Sequence, residues 1–191
     1  MPPLSLLLLT LACADPAPAP LAPPPATLPA AAPSGGLSLT TTAWAPGGEM
    51  PIQTTCEGSD AAPPLAWAGV PAGAASLALL VEDPDAPDPA APKLTWTHWI
   101  LYDLPPTMGS LTPGQPPAGA RDGKNGWGEP GYRGPCPPIG RHRYFFRLYA
   151  LDVLLPGLHT PDRDALLQAM QGHILAEASL LGTYQKQGAG R

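Results

Sequence analysis

No lysine or arginine occurs before Lys93, although eight acidic residues do. The remainder shares seven acids among ten bases, so the chain carries a formal charge of −5 with a pI near 5.2. A nucleic-acid-binding domain needs a strongly basic face, which this balance does not supply. Four arginines, Arg133, Arg141, Arg143 and Arg147, do fall close together, and they suit a local site for a small anion. Motifs are missing as well. The sequence has no Walker-type loop, GxSxG elbow or HExxH, and its GxGxxG match at Gly126–Gly131 lies inside a Pro/Gly-rich stretch rather than between a strand and a helix, which removes dinucleotide and nucleotide-triphosphate chemistry and leaves hydrolase chemistry without its usual scaffolds. No repeat of about 20–50 residues is visible, which excludes a solenoid or propeller.

The leucine-rich run at residues 4–12 is far shorter than the roughly 20 residues that span a bilayer, but suffices for the apolar core of a signal peptide. It ends at Leu11-Ala12-Cys13, which resembles a bacterial lipobox with Cys13 as the lipidated residue. Residues 1–13 are therefore read as a signal peptide, and the chain as exported, either periplasmic or a membrane-anchored lipoprotein. Residues 14–36 form a Pro/Ala-rich linker, with eight prolines and no charge from residue 16 onward. Such a stretch cannot bury enough apolar surface to fold. At ~3.1 Å per residue it would hold a globular head roughly 60 Å from its anchor.

Residues 37–187 then make one domain. A chain of about 150 residues buries roughly 68–70% of its unfolded surface, so neither a metal nor a disulfide is required for a core. With Cys13 assigned to the anchor, Cys56 and Cys136 remain. In an oxidising compartment they are a candidate disulfide; as unbonded thiols they would be small buried hydrophobes.

Apolar runs at 76–82, 96–104 and 144–152 read as strands, with weaker strands at 37–43 and 50–55. In the third, Tyr144, Phe146, Leu148 and Ala150 share one face, while Phe145, Arg147, Tyr149 and Leu151 share the other. Pro/Gly-rich stretches at 83–93, 105–119 and 121–140 read as long functional loops of a mostly β sandwich. A C-terminal helix is predicted over 162–181, with Thr160 as cap, Pro161 at the first helical position and Gly182 as its stop.

Three polar segments stand at the ends of these strands. Asp83-Pro84-Asp85-Ala86-Pro87 offers two carboxylates on a proline-stiffened backbone. His98 sits in a run of Trp, Ile, Leu and Tyr, where an unpaired polar group costs about 1–3 kcal/mol, and Asp83 is its candidate partner. Gly134-Pro-Cys-Pro-Pro-Ile-Gly-Arg-His-Arg-Tyr144 delivers a histidine and a tyrosine to the next strand. Taken singly, each has a plain structural reading: a satisfied core histidine, a rigid turn, and an ion-pair partner in Arg143. His173 reads as helix packing, His159 as loop, and Asn125-Gly126-Trp127-Gly128 as a turn whose Trp127 would cover a pocket mouth.

Taken in order, these segments resemble the two signature regions of the phosphatidylethanolamine-binding protein family, in its bacterial Raf-kinase-inhibitor-like branch. The first is Ser76-Leu-Ala-Leu-Leu-Val-Glu-Asp-Pro-Asp-Ala-Pro87 with Thr97-His98-Trp99, and the second is Gly134–Tyr144. Cys56-Glu-Gly-Ser59, Pro63-Pro-Leu-Ala-Trp67 and Gly172-His-Ile-Leu-Ala176 extend the likeness over residues 37–185. The resemblance implies a phosphatidylethanolamine-binding-protein-like β-sandwich with long loops and a C-terminal helix. It also implies a pocket lined by Asp83, His98, Gly134, Pro135, His142 and Tyr144, with Asp85 close by. Such a pocket accepts phosphate, a phosphorylated head group or another small anion, with no cofactor and no metal. Three functions stay open: a non-catalytic binding module, a hydrolase or metal-dependent enzyme using Asp and two His, and an inhibitor that meets an unknown protein partner through its loops. Membrane contact is expected only through a lipid at Cys13.

Overall fold

The computed structural model describes residues 36–113 and 118–188. Residues 1–13, with Cys13, and all but the last residue of the 14–36 linker lie outside the described residues. Eight strands and one helix follow in the order β1 Ser38–Thr40, β2 Leu65–Ala68, β3 Ser76–Ala86, β4 Leu94–Leu104, β5 Ser110–Leu111, β6 Arg121–Asp122, β7 Arg141–Leu151, α1 Arg163–Met170 and β8 Ile174–Gln185. They form two antiparallel sheets among the described residues, one ordered β1-β2-β5 and the other β6-β4-β3-β7-β8.

The five-stranded sheet is apolar on both faces, because its central strands alternate between two hydrophobic sets rather than between apolar and polar. Leu77, Leu79 and Val81 of β3, with Tyr144, Phe146, Leu148 and Ala150 of β7, point inward to the small sheet and meet Leu39, Leu65, Trp67 and Leu111. Ala78, Leu80, Ile100, Tyr102, Tyr149 and Leu151 point outward and are covered by Leu166 and Met170 of α1. Each fully buried Leu or Phe contributes about 1.5–3 kcal/mol, so the two layers together anchor the ends of the long strands.

The C-terminal segment differs from the helix predicted over 162–181. The helix ends at Met170, and 174–185 pairs with β7 along its length. Gly172 takes φ of +80°, the left-handed turn that stops the helix. Apolar residues four apart satisfy a strand's period of two as well as a helix, and Ala178, Leu180, Gly182 and Tyr184 are buried alternately as a strand requires. Asp162, not Thr160, caps the helix, accepting from Ala165 N–H at 2.9 Å. Gly182 is no helix stop: a Cβ there would lie 2.6 Å from Met50 Cγ. Residues 50–55 are not a strand, since Ile52–Thr54 is a short 3-10 turn. The hydroxyls of Thr54 and Thr55 donate to the carbonyls of Pro51 and Ile52, which holds that turn.

Two irregularities in the sheet position the polar residues. β3 continues through Asp83-Pro84-Asp85, so both carboxylates stand on the strand rather than in a loop after it, with the register shifting around Pro84. A proline inside a paired strand needs such a bulge because it has no N–H to give. In β4, Trp99 pairs with Val81 and Thr97 with Glu82, which leaves His98 as the extra residue. Strict alternation would set His98 with Ile100 and Tyr102 on the outer, helix-covered face. The bulge turns it to the inner face instead.

Candidate functional site

At one end of the inner face, β3, β4 and β7 bring Asp83, His98, His142 and Tyr144 together. All four are buried. The Tyr144 ring lies 5.2 Å from the His98 ring, edge to face, and 6.4 Å from the His142 ring, nearly parallel. The phenol thus stands between the two imidazoles. Its hydroxyl is buried and makes no hydrogen bond of ordinary geometry, although the Asp83 carboxylate lies close enough to act on it; a buried donor left unsatisfied costs about 1–3 kcal/mol until a ligand meets it. Burial, and then the nearby Asp83 carboxylate, push this phenol well above its ordinary pKa, so it stays a donor at any physiological pH.

The partner of Asp83 is His142, not His98. Asp83 Oδ2 lies 2.7 Å from His142 Nδ1, and Oδ1 accepts from Asp85 N–H at 2.8 Å. His142 Nε2 faces the Ile139 carbonyl at 2.9 Å. Both ring nitrogens therefore face oxygen atoms of the protein. The Asp83–His142 contact also occupies groups that a two-His, one-carboxylate metal site would need. Among the described residues no group of three or more His, Cys, Asp or Glu is placed to hold a metal ion.

His98 donates from Nδ1 to the Arg133 carbonyl at 2.6 Å. This sets its tautomer, leaving the lone pair of the neutral ring on Nε2. Burial holds the imidazole below its ordinary pKa, against the opposing pull of the Arg133 carbonyl and Asp83. Trp127 sets its ring against His98 at 5.4 Å and against Trp96 at 5.3 Å, and the Arg133 guanidinium lies 4.6 Å from its ring centre. A cation thus sits at the edge of the cluster, held on an aromatic face.

The remaining predicted residues support the cluster from behind. Asp85 accepts from Arg143 N–H and Nε at 2.9 Å each and from Nη2 at 2.7 Å. Burial works to raise the Asp85 carboxyl, yet these bonds outweigh it and hold it below its ordinary value. Asp85 is therefore committed to Arg143. Gly134 donates its N–H to Asp60 Oδ1 at 2.7 Å, and a Cβ there would fall 2.1 Å from the Thr54 carbonyl, so only glycine fits. Pro135 accepts from Cys56 N–H at 3.1 Å. Cys56 and Cys136 are joined by a disulfide with Cα atoms 5.4 Å apart.

Several contributors escaped sequence reasoning. Asp60 meets Gly134 across 74 residues with no motif linking them. Arg133 and Ile139 act through backbone carbonyls, which residue type does not announce. His173 lies in the turn after α1 rather than in a helix, and its Nδ1 contacts Asp152 Oδ1 at 2.8 Å. His159 is exposed in a loop. A groove of about 480 Å³ runs between Leu94–Thr97, Lys124–Gly126 and Asp162–Asp164, and touches none of the seven predicted residues.

The family model described as phosphatidylethanolamine-binding protein matches residues 40–185. The chain is 47% identical over 137 residues to a UPF0098 protein of Methanothermobacter thermautotrophicus, covering 69% of this chain and 87% of that protein. A crystal structure of a phosphatidylethanolamine-binding protein homologue from Chlamydia trachomatis superposes with a TM-score of 0.76 at 44% identity, covering 81% of this chain and 100% of that one. A crystal structure of an Escherichia coli protein, titled a new member of the mammalian family, gives 0.71 at 28% identity, covering 79% and 99%.

Proposed function

The chain belongs to the phosphatidylethanolamine-binding protein family, and from that premise we propose that it is a non-catalytic module binding a small phosphate-like anion among Tyr144, His98 and His142. The observation that carries the reading is the buried Tyr144 hydroxyl, which makes no hydrogen bond of ordinary geometry and whose ring packs against both imidazoles. Arg133 adds a cation at the edge. The neighbouring Asp83 carboxylate works against an anion, and its contact with His142 moderates that repulsion.

The His98 tautomer adds a condition. Nδ1–H is spent on Arg133, so His98 can offer Nε2–H to an anion only by gaining a proton. Binding is then coupled to proton uptake, and affinity rises as pH falls. Read with the N-terminal stretch, the module would be carried on a tether beyond the cell's inner membrane, in contact with lipid through Cys13 alone.

Calorimetric titration with sulfate, whose charge is constant near neutrality, tests this directly. Tyr144→Phe removes only the hydroxyl and should weaken binding by about tenfold, the worth of one hydrogen bond to a charged group. Equal affinity in the two proteins would remove the site.

A further inference from the structure

The segment entering β7 is fastened to residues 52–60 by four links of different kinds. Tyr132 donates its hydroxyl to the Thr54 carbonyl at 2.7 Å, Gly134 donates to Asp60 Oδ1 at 2.7 Å, and Cys56 donates to the Pro135 carbonyl at 3.1 Å. The fourth link is the Cys56–Cys136 bond, which joins positions 80 residues apart. Its setting differs from the others. Gly134 and Pro135 are buried, whereas Cys56 and Cys136 are both exposed. Neither cysteine belongs to either apolar cluster. The bond therefore cross-links two exposed residues that lie outside both cores, a setting that a thiol in solution can approach.

One of those segments carries the Arg133 carbonyl, the acceptor that fixes the proton of His98 on Nδ1. Arg133 is three residues from Cys136, and its own N–H donates to the His98 carbonyl at 3.0 Å. Whatever loosens residues 133–136 thus acts on the orientation of a site imidazole and on the cation beside it.

We propose that Cys56–Cys136 is a thiol-exchange site that sets the ligand affinity of the Tyr144 cluster, its co-reactant being a dithiol. This rests on the anion-binding reading above. One thiolate of the dithiol attacks an exposed protein sulfur, and the other cysteine leaves as thiolate. The second thiolate of the reagent then attacks the mixed disulfide and releases the remaining cysteine. Two electrons pass to the protein, its two sulfurs take up protons, and the reagent leaves as its own disulfide. Reduced, the 133–136 segment loses its covalent brace, and its hydrogen bonds, those between Arg133 and His98 among them, open more readily. His98 is then less pre-oriented, and the ordering must be done at binding. Coupling is reciprocal: a bound anion makes the disulfide harder to reduce by the same factor.

The test uses the full chain before and after dithiothreitol, with a thiol count rising by two, since Cys13 contributes equally to both states. Sulfate should bind about tenfold more weakly to the reduced protein, and saturating sulfate should lower the midpoint potential of the pair by about 30 mV, the equivalent of tenfold for two electrons. Nitrogen-15 histidine spectra should show His98 losing its single Nδ1–H tautomer on reduction. Cys56→Ser with Cys136→Ser should behave as the reduced chain does. Unchanged affinity and an unchanged His98 signature with both thiols free would overturn the inference. So would loss of near-ultraviolet circular dichroism on reduction, because the bond would then simply hold the fold. Failure of the oxidised chain to bind sulfate would sink the anion reading alone, while the His98 spectra would still decide whether the disulfide controls the site.

Discussion

Glu82 and Asp83 are neighbours on one strand, both carboxylates and both buried, yet they face opposite sides of the sheet into different surroundings. On the outer face Glu82 is gripped by Arg147 at 3.3 Å and by Arg163 of the helix, and each arginine has a second acid, Glu177 for Arg147 and Asp164 for Arg163. Every charge there is matched, and both arginines reach water. On the inner face Asp83 is held by one imidazole and one backbone N–H, beside a phenol that makes no hydrogen bond of ordinary geometry. A network with redundant partners serves as structure; a cluster that keeps a buried donor out of any ordinary hydrogen bond is the better candidate for binding.

The most forceful way to break this comparison is to delete each carboxylate in turn. Asp83→Ala strands His142 in the interior and should cost about 3 kcal/mol, whereas Glu82→Ala leaves two partly exposed arginines with other acids and should cost about 1 kcal/mol. Urea unfolding of both variants gives the ratio; equal costs would erase the distinction. Tyr144→Phe sharpens the contrast from another side. It should lower sulfate affinity by about tenfold, roughly 1.4 kcal/mol, while leaving unfolding stability unchanged or raised, because an unsatisfied buried group is removed. A stability loss with intact binding would identify the hydroxyl as structural.

Acid should act on the inner face first. His98 has a folded pKa below its unfolded value near 6.5, so the unfolded chain takes up the proton more readily. Stability of the ligand-free protein is therefore whole above about pH 6.5 and declines below it, by at most ~1.36 kcal/mol per unit until the folded pKa is reached. His98→Gln should flatten that slope in thermal melts across pH 5–7. The smallest effect belongs to the outer face: Arg163→Ala should cost under about 1 kcal/mol, since Glu82 keeps Arg147, and should leave sulfate affinity untouched.

Legibility in the sequence divided along similar lines. The long strands were readable because runs such as Leu77–Val81 and Tyr144–Leu151 state their burial in residue type, and the two faces of β7 fell as alternation predicted. The two signature segments, with His98 inside a strand, hold residues that the fold brings into one buried cluster. What could not be read was direction and partnership. Ile174 and Leu175, inside the helix predicted over 162–181, are exposed at the start of β8. The pairing of Asp83 with His142, and the role of Asp60, depend on contacts across 59 and 74 residues that no local pattern encodes. The inward turn of His98 depends on one unpaired residue in a ladder, which leaves no mark in composition.

That supernumerary residue makes the chemistry separable from the architecture. Loss of the one codon between Thr97 and Trp99, that of His98 itself, would restore the even ladder and delete the imidazole, and His98 belongs to neither hydrophobic layer. A lineage could thus abandon the ligand in one mutational step and retain the sandwich for other uses, without first passing through an unfolded ancestor.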